Sequence, residues 1–168
     1  GARIALESWA FDSSRVAGLI LADFGVDGTV TEKERSGRAD RVRGAYEKGM
    51  SNLLDSWLKP MVAKGFDIND RYKQLEEMVL KETPESHEQQ IDALLNRPNA
   101  EAYLNAIRCP TLLLVGDQDQ WSPAEQHIKI GEKLVGSQVE VVQGAGHFLP
   151  FERPDVVASL VHDWIEEI

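Results

Sequence analysis

The sequence is poor in cysteine and in basic residues, and each shortage excludes a class of protein. Its 168 residues contain a single cysteine, Cys109, which cannot form an internal disulfide, so a reducing compartment, the cytoplasm, is expected. Lysine and arginine number 18 against 28 acidic residues, a formal charge of −10. Nucleic-acid binding needs a clustered basic surface that displaces counterions, so we expect no nucleic-acid partner and no binding to anionic membranes.

Long apolar runs and ligand-binding motifs are missing as well. No stretch approaches the ~20 apolar residues that span a bilayer, and no signal peptide is visible. His, Cys, Asp and Glu do not follow metal-ligand spacing, and no glycine-rich loop with phosphate-binding spacing follows a strand, so neither a metal nor a cofactor is expected. Helical sequence begins directly after Gly1, which is not a methionine, so the natural N-terminus is expected upstream.

What the sequence does contain is three short apolar runs separated by helical periodicity. The runs at 17–22, 111–115 and 138–142 are typical of buried strands. Helices are predicted at the start of the chain, after Ser122 as the N-cap residue, and over 156–168, where the apolar stripe is clearest. Strands that alternate with helices predict right-handed crossovers and a parallel sheet, the α/β class.

Residues 24–106, between the first and second predicted strands, contain no convincing strand. This segment is rich in charge and in helical periodicity, and its strongest apolar face runs over 50–62. Further helices are predicted near 70–82 and 86–96. The segment therefore reads as an all-helical insertion.

Two loops that follow predicted strands carry the residues that indicate chemistry. Asp119 follows the second strand and His147 the third. Ligands of open α/β sheets bind beyond the carboxyl ends of the strands, so both side chains are predicted at one rim, within hydrogen-bond reach of each other. A carboxylate that orients one histidine nitrogen, while the other takes a proton from a nucleophile, forms a hydrolytic relay. Gly144 and Gly146 are expected to let the histidine loop turn tightly.

Other polar residues offer alternatives for these roles. Asp117 could replace Asp119 as the acid or could cap a turn, and Asp23, after the first strand, could be another acid partner. A hydrogen bond to local backbone in a turn is the better interpretation of Asp23. His127, one turn inside a helix, is predicted to be structural, and His87 is predicted to face solvent.

Three aromatic residues are candidates for a substrate pocket. Phe148 and Trp121 each neighbour a residue of the predicted relay. Trp57 lies on the apolar face of the helical insertion, where packing inside that insertion is the alternative.

Two loop motifs resemble the acid and histidine loops of α/β-hydrolases: Gly116-x-x-Asp119-x-x-x-Pro123 and Gly146-His147-x-x-x-x-Glu152-x-Pro154. Their order, acid before histidine, is the order of that family. The first seven residues resemble the helix after the family's nucleophile elbow, which would put the nucleophile two positions before Gly1. The segments Asn96-Arg-Pro-Asn99 and Asp119-x-Trp-Ser-Pro, together with His127, also resemble a bacterial carboxylesterase-like subgroup.

The resemblance implies an eight-stranded sheet with a helical cap after the sixth strand. Residues 1–23 and 107–168 would then form part of the hydrolase core, its last three strands, and 24–106 the helical cap. The nucleophile and the oxyanion hole would lie upstream of residue 1. Without them this chain alone is expected to be inert, since loss of the nucleophile costs about 10⁶ in kcat in a serine protease.

The resemblance further implies hydrolysis of a small carboxylic ester through an acyl-enzyme. Two alternatives stay open: an aspartate nucleophile, as in an epoxide hydrolase or a haloalkane dehalogenase, and a non-catalytic remnant that acts as an interaction module. If 17–22 is the first of these last three strands, its neighbour in the sheet lies upstream of residue 1, which leaves one edge open. The segment has no charge or proline to oppose pairing, so this edge would pair with an N-terminal fragment or with a second copy. The identity of the nucleophile and of the ester is not determined by the sequence.

Overall fold

The computed structural model describes all 168 residues. It contains three strands and eight α-helices, joined by loops and short helical turns. In chain order they are α1 (Ala2–Phe11), β1 (Leu19–Ala22), α2 (Glu32–Lys48), α3 (Asp70–Lys81), α4 (Pro84–Leu95), α5 (Glu101–Leu104), β2 (Thr111–Gly116), α6 (Ala124–Gly131), β3 (Ser137–Val142), α7 (Leu149–Glu152) and α8 (Pro154–Glu167).

The chain groups into two compact units. The sheet unit consists of Gly1–Asp27, Met61–Lys64 and Ala100–Ile168, and the helical unit consists of Gly28–Pro60 and Gly65–Asn99. All three strands belong to the sheet unit, and no strand occurs between residues 24 and 106, as the sequence predicted. The short segment Met61–Lys64 groups with the strands, although the residues on both sides of it belong to the helical unit.

The three strands form one parallel sheet in the order β1-β2-β3, so the predicted α/β class is confirmed. Leu19 pairs with Thr111, which in turn pairs with Ser137. All six residues of the central strand β2 are buried. A strand covered on both faces and paired on both edges has no solvated side, which explains why its sequence is a continuous apolar run.

Side chains of β2 alternate between two apolar clusters on opposite faces of the sheet. Leu113 packs with Leu6 of α1 and Ile130 of α6 on one face. Leu114 packs with Trp164 of α8 on the other. Full burial of such side chains contributes roughly 1.5–3 kcal/mol each, so helices on both faces are needed to complete the core.

The start of α6 differs from the prediction. Ser122 was expected to cap this helix, but α6 begins at Ala124 with Pro123 in the N-cap position and no side-chain cap. Ser122 is instead buried, and its backbone N–H donates to Asp119. The prediction that Ser122 caps this helix is therefore wrong, because the carboxylate of Asp119, three residues earlier, already accepts a hydrogen bond from the backbone of this turn.

The helical unit contains α2, α3 and α4, and the last two correspond to the helices predicted near 70–82 and 86–96. The apolar face over 50–62 is largely buried, but its backbone is a series of turns, including a π-helical turn at Leu54–Leu58, rather than one α-helix. None of the helices in the chain is both long enough and apolar enough to cross a membrane.

His87 lies on α4 and is 6% exposed, so the prediction that it faces solvent was wrong. Its ring contacts Trp57 in an edge-on arrangement, with 6.5 Å between ring centroids. Burial and the charge of Arg41 lower the pKa of His87. Polar neighbours in the sequence indicate a solvated face, but α4 packs against α2, and the His87 side chain is buried.

Candidate active site

Asp119 and His147 meet at the carboxyl ends of β2 and β3. The His147 ring nitrogen Nδ1 lies 2.8 Å from Asp119 Oδ2, within the hydrogen-bond distance that the sequence predicted. The Asp119 side chain is fully buried, whereas that of His147 is 23% exposed. Since a carboxylate accepts, Nδ1–H donates, and the second ring nitrogen, Nε2, is left to exchange a proton with a reacting group.

The other oxygen of Asp119 is held by the backbone of its own loop. Oδ1 accepts hydrogen bonds from the N–H groups of Trp121, at 2.8 Å, and Ser122, at 2.9 Å. Burial by itself would raise the pKa of Asp119, but the hydrogen bonds from His147 and from these two N–H groups outweigh it and lower the pKa. The carboxylate is therefore ionised at neutral pH and fixed in one orientation.

Two glycines allow the acid loop and the histidine loop to approach each other. A Cβ atom at Gly116 would lie 2.3 Å from the carbonyl oxygen of Ala145, and one at Gly146 would lie 2.6 Å from the backbone nitrogen of Ala63. No side chain fits at either position. Gly144 has a φ of +68°, the left-handed conformation that the tight turn before His147 requires.

Glu152 holds the backbone on both sides of His147. This side chain is 1% exposed, and its Oε2 accepts from the N–H of Gly146, at 3.0 Å, and of Ala63, at 2.8 Å. Oε1 accepts from the N–H of Phe148 at 3.2 Å. In the sequence, Glu152 stands out only as part of the histidine motif, and its spacing of five residues from His147 is the signal for this contact.

Two further contacts fix the histidine loop. The N–H of His147 donates to the carbonyl oxygen of Met61 at 2.7 Å. Asp117 Oδ1 accepts from the N–H of Gly144 at 2.7 Å, so Asp117 supports the loop backbone while Asp119 contacts the imidazole.

Asp23, at the end of β1, also contacts this region, so its predicted role in a local turn was wrong. Its Oδ2 accepts from the N–H of Leu149, which lies 126 residues further along the chain, at 3.2 Å. Burial, followed by the charge of Asp119, raises the pKa of Asp23 to about 7, against the opposing effects of His147 and of backbone N–H groups. The sequence signal was an aspartate directly after a buried strand.

His127 is structural, in agreement with its position inside a helix. It is 0% exposed, its Nε2 accepts from the N–H of Phe24 at 3.1 Å, and its Nδ1 donates to the carbonyl oxygen of Pro123 at 3.2 Å. Burial lowers the pKa of His127, so the ring is neutral and joins α6 to the loop after β1.

The three aromatic pocket candidates lie in different surroundings. The Phe148 ring contacts the His147 ring, with 6.1 Å between centroids. Trp121 follows Asp119 in the acid loop and is 39% exposed. Trp57 belongs to the helical unit, where it packs against His87. No group of three or more His, Cys, Asp or Glu side chains is arranged to hold a metal ion.

Comparison with known families identifies the class of this protein. The profile of the Alpha/beta hydrolase family matches residues 1–160. The chain therefore belongs to the α/β-hydrolase family, as the acid and histidine motifs predicted.

Solved structures agree with this assignment at the level of the fold. An esterase from Thermogutta terrifontis superposes with a TM-score of 0.89 and 24% identity, covering 99% of this chain and 61% of that one. The esterase EaEST from Exiguobacterium antarcticum gives a TM-score of 0.79 at 22% identity, with 98% and 63% covered.

Two curated relatives match shorter parts of the sequence. Monoacylglycerol lipase ABHD6 of Rattus norvegicus is 32% identical over 65 residues, 39% of this chain and 19% of the relative. The proline iminopeptidase PfmaB of Pestalotiopsis fici is 23% identical over 129 residues, 76% of this chain and 45% of the relative. The matched stretches thus cover less than half the length of each relative.

Proposed function

We propose that this chain supplies the acid and the histidine of a serine hydrolase that cleaves small carboxylic esters. The observation that carries the proposal is the 2.8 Å contact between His147 Nδ1 and the buried carboxylate of Asp119. It leaves Nε2 as the proton acceptor, at the rim of the sheet where α/β enzymes bind their substrates. The serine and the oxyanion-hole donors would come from a segment that precedes Gly1.

The chemistry takes place in two stages. His147 Nε2 removes the proton of the serine hydroxyl as its oxygen attacks the ester carbonyl, and then gives that proton to the departing alcohol, leaving an acyl-enzyme. In the second stage His147 takes a proton from the water that attacks the acyl carbonyl, and it then gives that proton to the departing serine oxygen as the carboxylic acid is released. Asp119 holds the imidazole in the correct tautomer and stabilises the imidazolium in both stages.

The names of the similar proteins favour an ester over an amide. Two of the solved structures are named esterases, and the rat relative is named a monoacylglycerol lipase, whereas the fungal relative is named a proline iminopeptidase. Phe148 beside the His147 ring is the first candidate for contact with the acyl or alcohol group. Trp121 and Trp57 are further candidates.

The test is turnover of short p-nitrophenyl esters by the full-length protein. His147→Ala is expected to abolish turnover, since it removes the base, while His162→Ala serves as the control because His162 is 72% exposed. A fluorophosphonate probe should label the wild type covalently at a serine. Normal turnover in His147→Ala would contradict the proposal. A wild-type protein that hydrolyses the ester but is not labelled at a serine would favour the alternative with an aspartate nucleophile.

We also propose that the open edge of β1 pairs with the preceding segment of the full-length protein. β1 has a strand neighbour on one side only. Leu19 and Asp23 direct their N–H groups to the segment containing β2, so those of Ile20 and Ala22 point to the open edge. Phe11, on the neighbouring helix α1, is 94% exposed. An unpaired edge without charge or proline is a template for another strand.

Size-exclusion chromatography with light scattering of the 168-residue chain tests this edge. The chain alone is expected to self-associate and to show no esterase activity, and adding the preceding segment should restore both a defined 1:1 complex and turnover. Ile20→Lys should weaken self-association, because a charge on an edge strand opposes pairing. A monodisperse species of 18.8 kDa with a cooperative melt would overturn the proposal.

A further inference from the structure

Asp23 is a carboxyl group beside the relay that the proposed mechanism does not use. It is the only residue other than glycine with a positive φ, +50°. A residue other than glycine keeps this backbone conformation only where the surrounding structure holds it, and such positions concentrate at functional sites. Its N–H donates to the Leu114 carbonyl at 3.1 Å, so the backbone is held at the end of β1.

The carboxyl group joins three segments of the sheet unit. Its Oδ2 accepts from the N–H of Leu149, the first residue of α7 and only two positions after His147. The backbone N–H of Gly116, three positions before Asp119, also favours the carboxylate form. The other oxygen, Oδ1, is buried and has no hydrogen-bond partner. Through its N–H and its carboxyl group, Asp23 therefore joins β2 to the first residue of α7, which follows the histidine loop.

Two charged groups act on Asp23, one from each loop. The carboxylate of Asp119 raises its pKa and His147 lowers it. The hydrogen bond from Leu149, two positions after His147, places the Asp23 carboxyl at the same rim as this pair, where charges interact over short distances. Asp23, Asp119 and His147 thus form one electrostatic group of two carboxyls and an imidazole.

The remaining ionisable side chains around Asp23 already have other partners. His127 of α6 accepts from the N–H of Phe24, and burial lowers the pKa of His127. Glu152 of α7 accepts three backbone N–H groups. Arg3 of α1 donates to the carbonyl oxygens that follow Asp23 in the chain, at residues 25 and 26. The charged side chains that act on the pKa of Asp23 are Asp119 and His147.

We propose that Asp23 is a positioning residue of the relay: it anchors the first turn after His147 and, when ionised, places a second negative charge beside the His147–Asp119 pair. This role rests on the proposed hydrolase function. The anchor is the hydrogen bond to Leu149, which requires only an acceptor oxygen. The second effect requires charge, so the two can be separated by substitution.

The charge has a predictable effect on the reaction. Burial and the charge of Asp119 raise the pKa of Asp23 to about 7, so Asp23 is neutral below that pH and ionised above it. An ionised Asp23 stabilises the imidazolium that forms in the transition state. The rise of kcat/KM with pH should therefore contain two coupled steps, because the two groups titrate together.

Three variants of the full-length protein separate the anchor from the charge. Asp23→Asn keeps an acceptor for Leu149 but removes the charge, so it should show a single-step rise of kcat/KM that begins at lower pH and reaches a lower plateau. Asp23→Leu removes both and should also lower kcat by about 10- to 100-fold at every pH through displacement of His147. Asp163→Asn, at a side chain 71% exposed, is the matched control and should behave as wild type.

The result that overturns the proposal is an Asp23→Asn profile identical to that of the wild type, or equal kcat in Asp23→Asn and Asp23→Leu. A lower melting temperature in both variants with an unchanged pH profile would show a merely structural role and would overturn it too.

A second measurement does not depend on activity. Carbon-13 NMR of the Asp23 carboxyl, assigned by its loss in Asp23→Asn, should show a titration midpoint of about 7 in the wild type, and the midpoint should rise in His147→Ala because the imidazolium lowers it. An inactive wild type would end the proposed function alone. A midpoint near the ordinary aspartate value, or one that does not move in His147→Ala, would end the role of Asp23.

Discussion

The carboxyl group of Glu152 accepts hydrogen bonds from the backbone immediately before and immediately after His147. The donors are the N–H of Gly146 at 3.0 Å and that of Phe148 at 3.2 Å. The backbone on both sides of His147 is thus held by a buried side chain five residues further along the chain, while His147 itself bonds to Met61 through its N–H and to Asp119 through Nδ1.

Replacing Glu152 should therefore change stability and catalysis together. Glu152→Gln leaves one acceptor oxygen for three backbone donors, so its amide N–H₂ must face at least one N–H in either orientation, and a buried unsatisfied group costs roughly 1–3 kcal/mol. We expect the melting temperature to fall by about 2–4 °C per kcal/mol and kcat to fall as well. Glu166→Gln, at an exposed position of α8, is the control. A variant at residue 152 that melts as wild type would contradict this interpretation.

The two aspartates of the acid loop should differ sharply in their effect on turnover. Asp119→Asn is expected to lower kcat by about 10⁴, since an asparagine favours the wrong imidazole tautomer. Asp117→Asn keeps an oxygen that can accept from Gly144 N–H and should retain most of the activity. Both variants are compared by kcat/KM on the same p-nitrophenyl ester. Equal losses in the two would mean that the acid has been misassigned.

The close approach of the two loops predicts which glycines tolerate a methyl group. Gly116→Ala would bring a Cβ to 2.3 Å from the Ala145 carbonyl oxygen, so we expect strong destabilisation in urea unfolding. Gly37→Ala, inside α2, meets nothing within 4 Å and should stabilise the protein by about 0.5–1 kcal/mol. The matched pair would contradict the structure if both substitutions destabilised equally.

Stability should depend on pH through Asp23. Because its pKa is raised in the folded protein, to about 7, the folded state holds a proton that the unfolded chain has already lost between the ordinary aspartate pKa and pH 7. The free energy of unfolding therefore falls as pH rises through that range and is level above it. Asp23→Asn lacks this effect.

Urea unfolding at pH 5, 6, 7 and 8 tests this. The stability of Asp23→Asn relative to wild type should increase up to about pH 7 and then stay constant. Asp119, whose pKa is lowered, contributes in the opposite sense: its stabilisation is present above the unfolded pKa and is lost as the pH falls toward acid. A difference between Asp23→Asn and wild type that did not change with pH would contradict the burial of this carboxyl.

Much of the sheet unit could be predicted because its signals are local. The run at 111–115 is apolar at every position, and the structure places it in the central strand, where no side is solvated. Asp119 and His147 were predicted to meet because each follows a parallel strand, and parallel strands end at one rim. These inferences need only periodicity and the position of a residue at the end of a strand.

Predictions failed where a contact partner is distant in sequence or where local patterns compete. His87 was expected to be solvated from its polar neighbours, yet Trp57 covers it. Ser122 matched a helix-capping pattern, but its N–H instead completes the turn of Asp119. In each case the local pattern was compatible with two structures, and packing selected one of them.

The sequence by itself determined the α/β class, the three strands, the strand-free segment between the first two and the pair Asp119–His147. Only the tertiary structure decided that Asp23 contacts Leu149, 126 residues away, and that Glu152 holds the backbone around His147. The physical reason is that periodicity reports which face of an element is buried, whereas the pairing of a buried carboxyl with particular N–H groups depends on how closely the loops approach. That approach is allowed by the absence of a Cβ at Gly116 and Gly146.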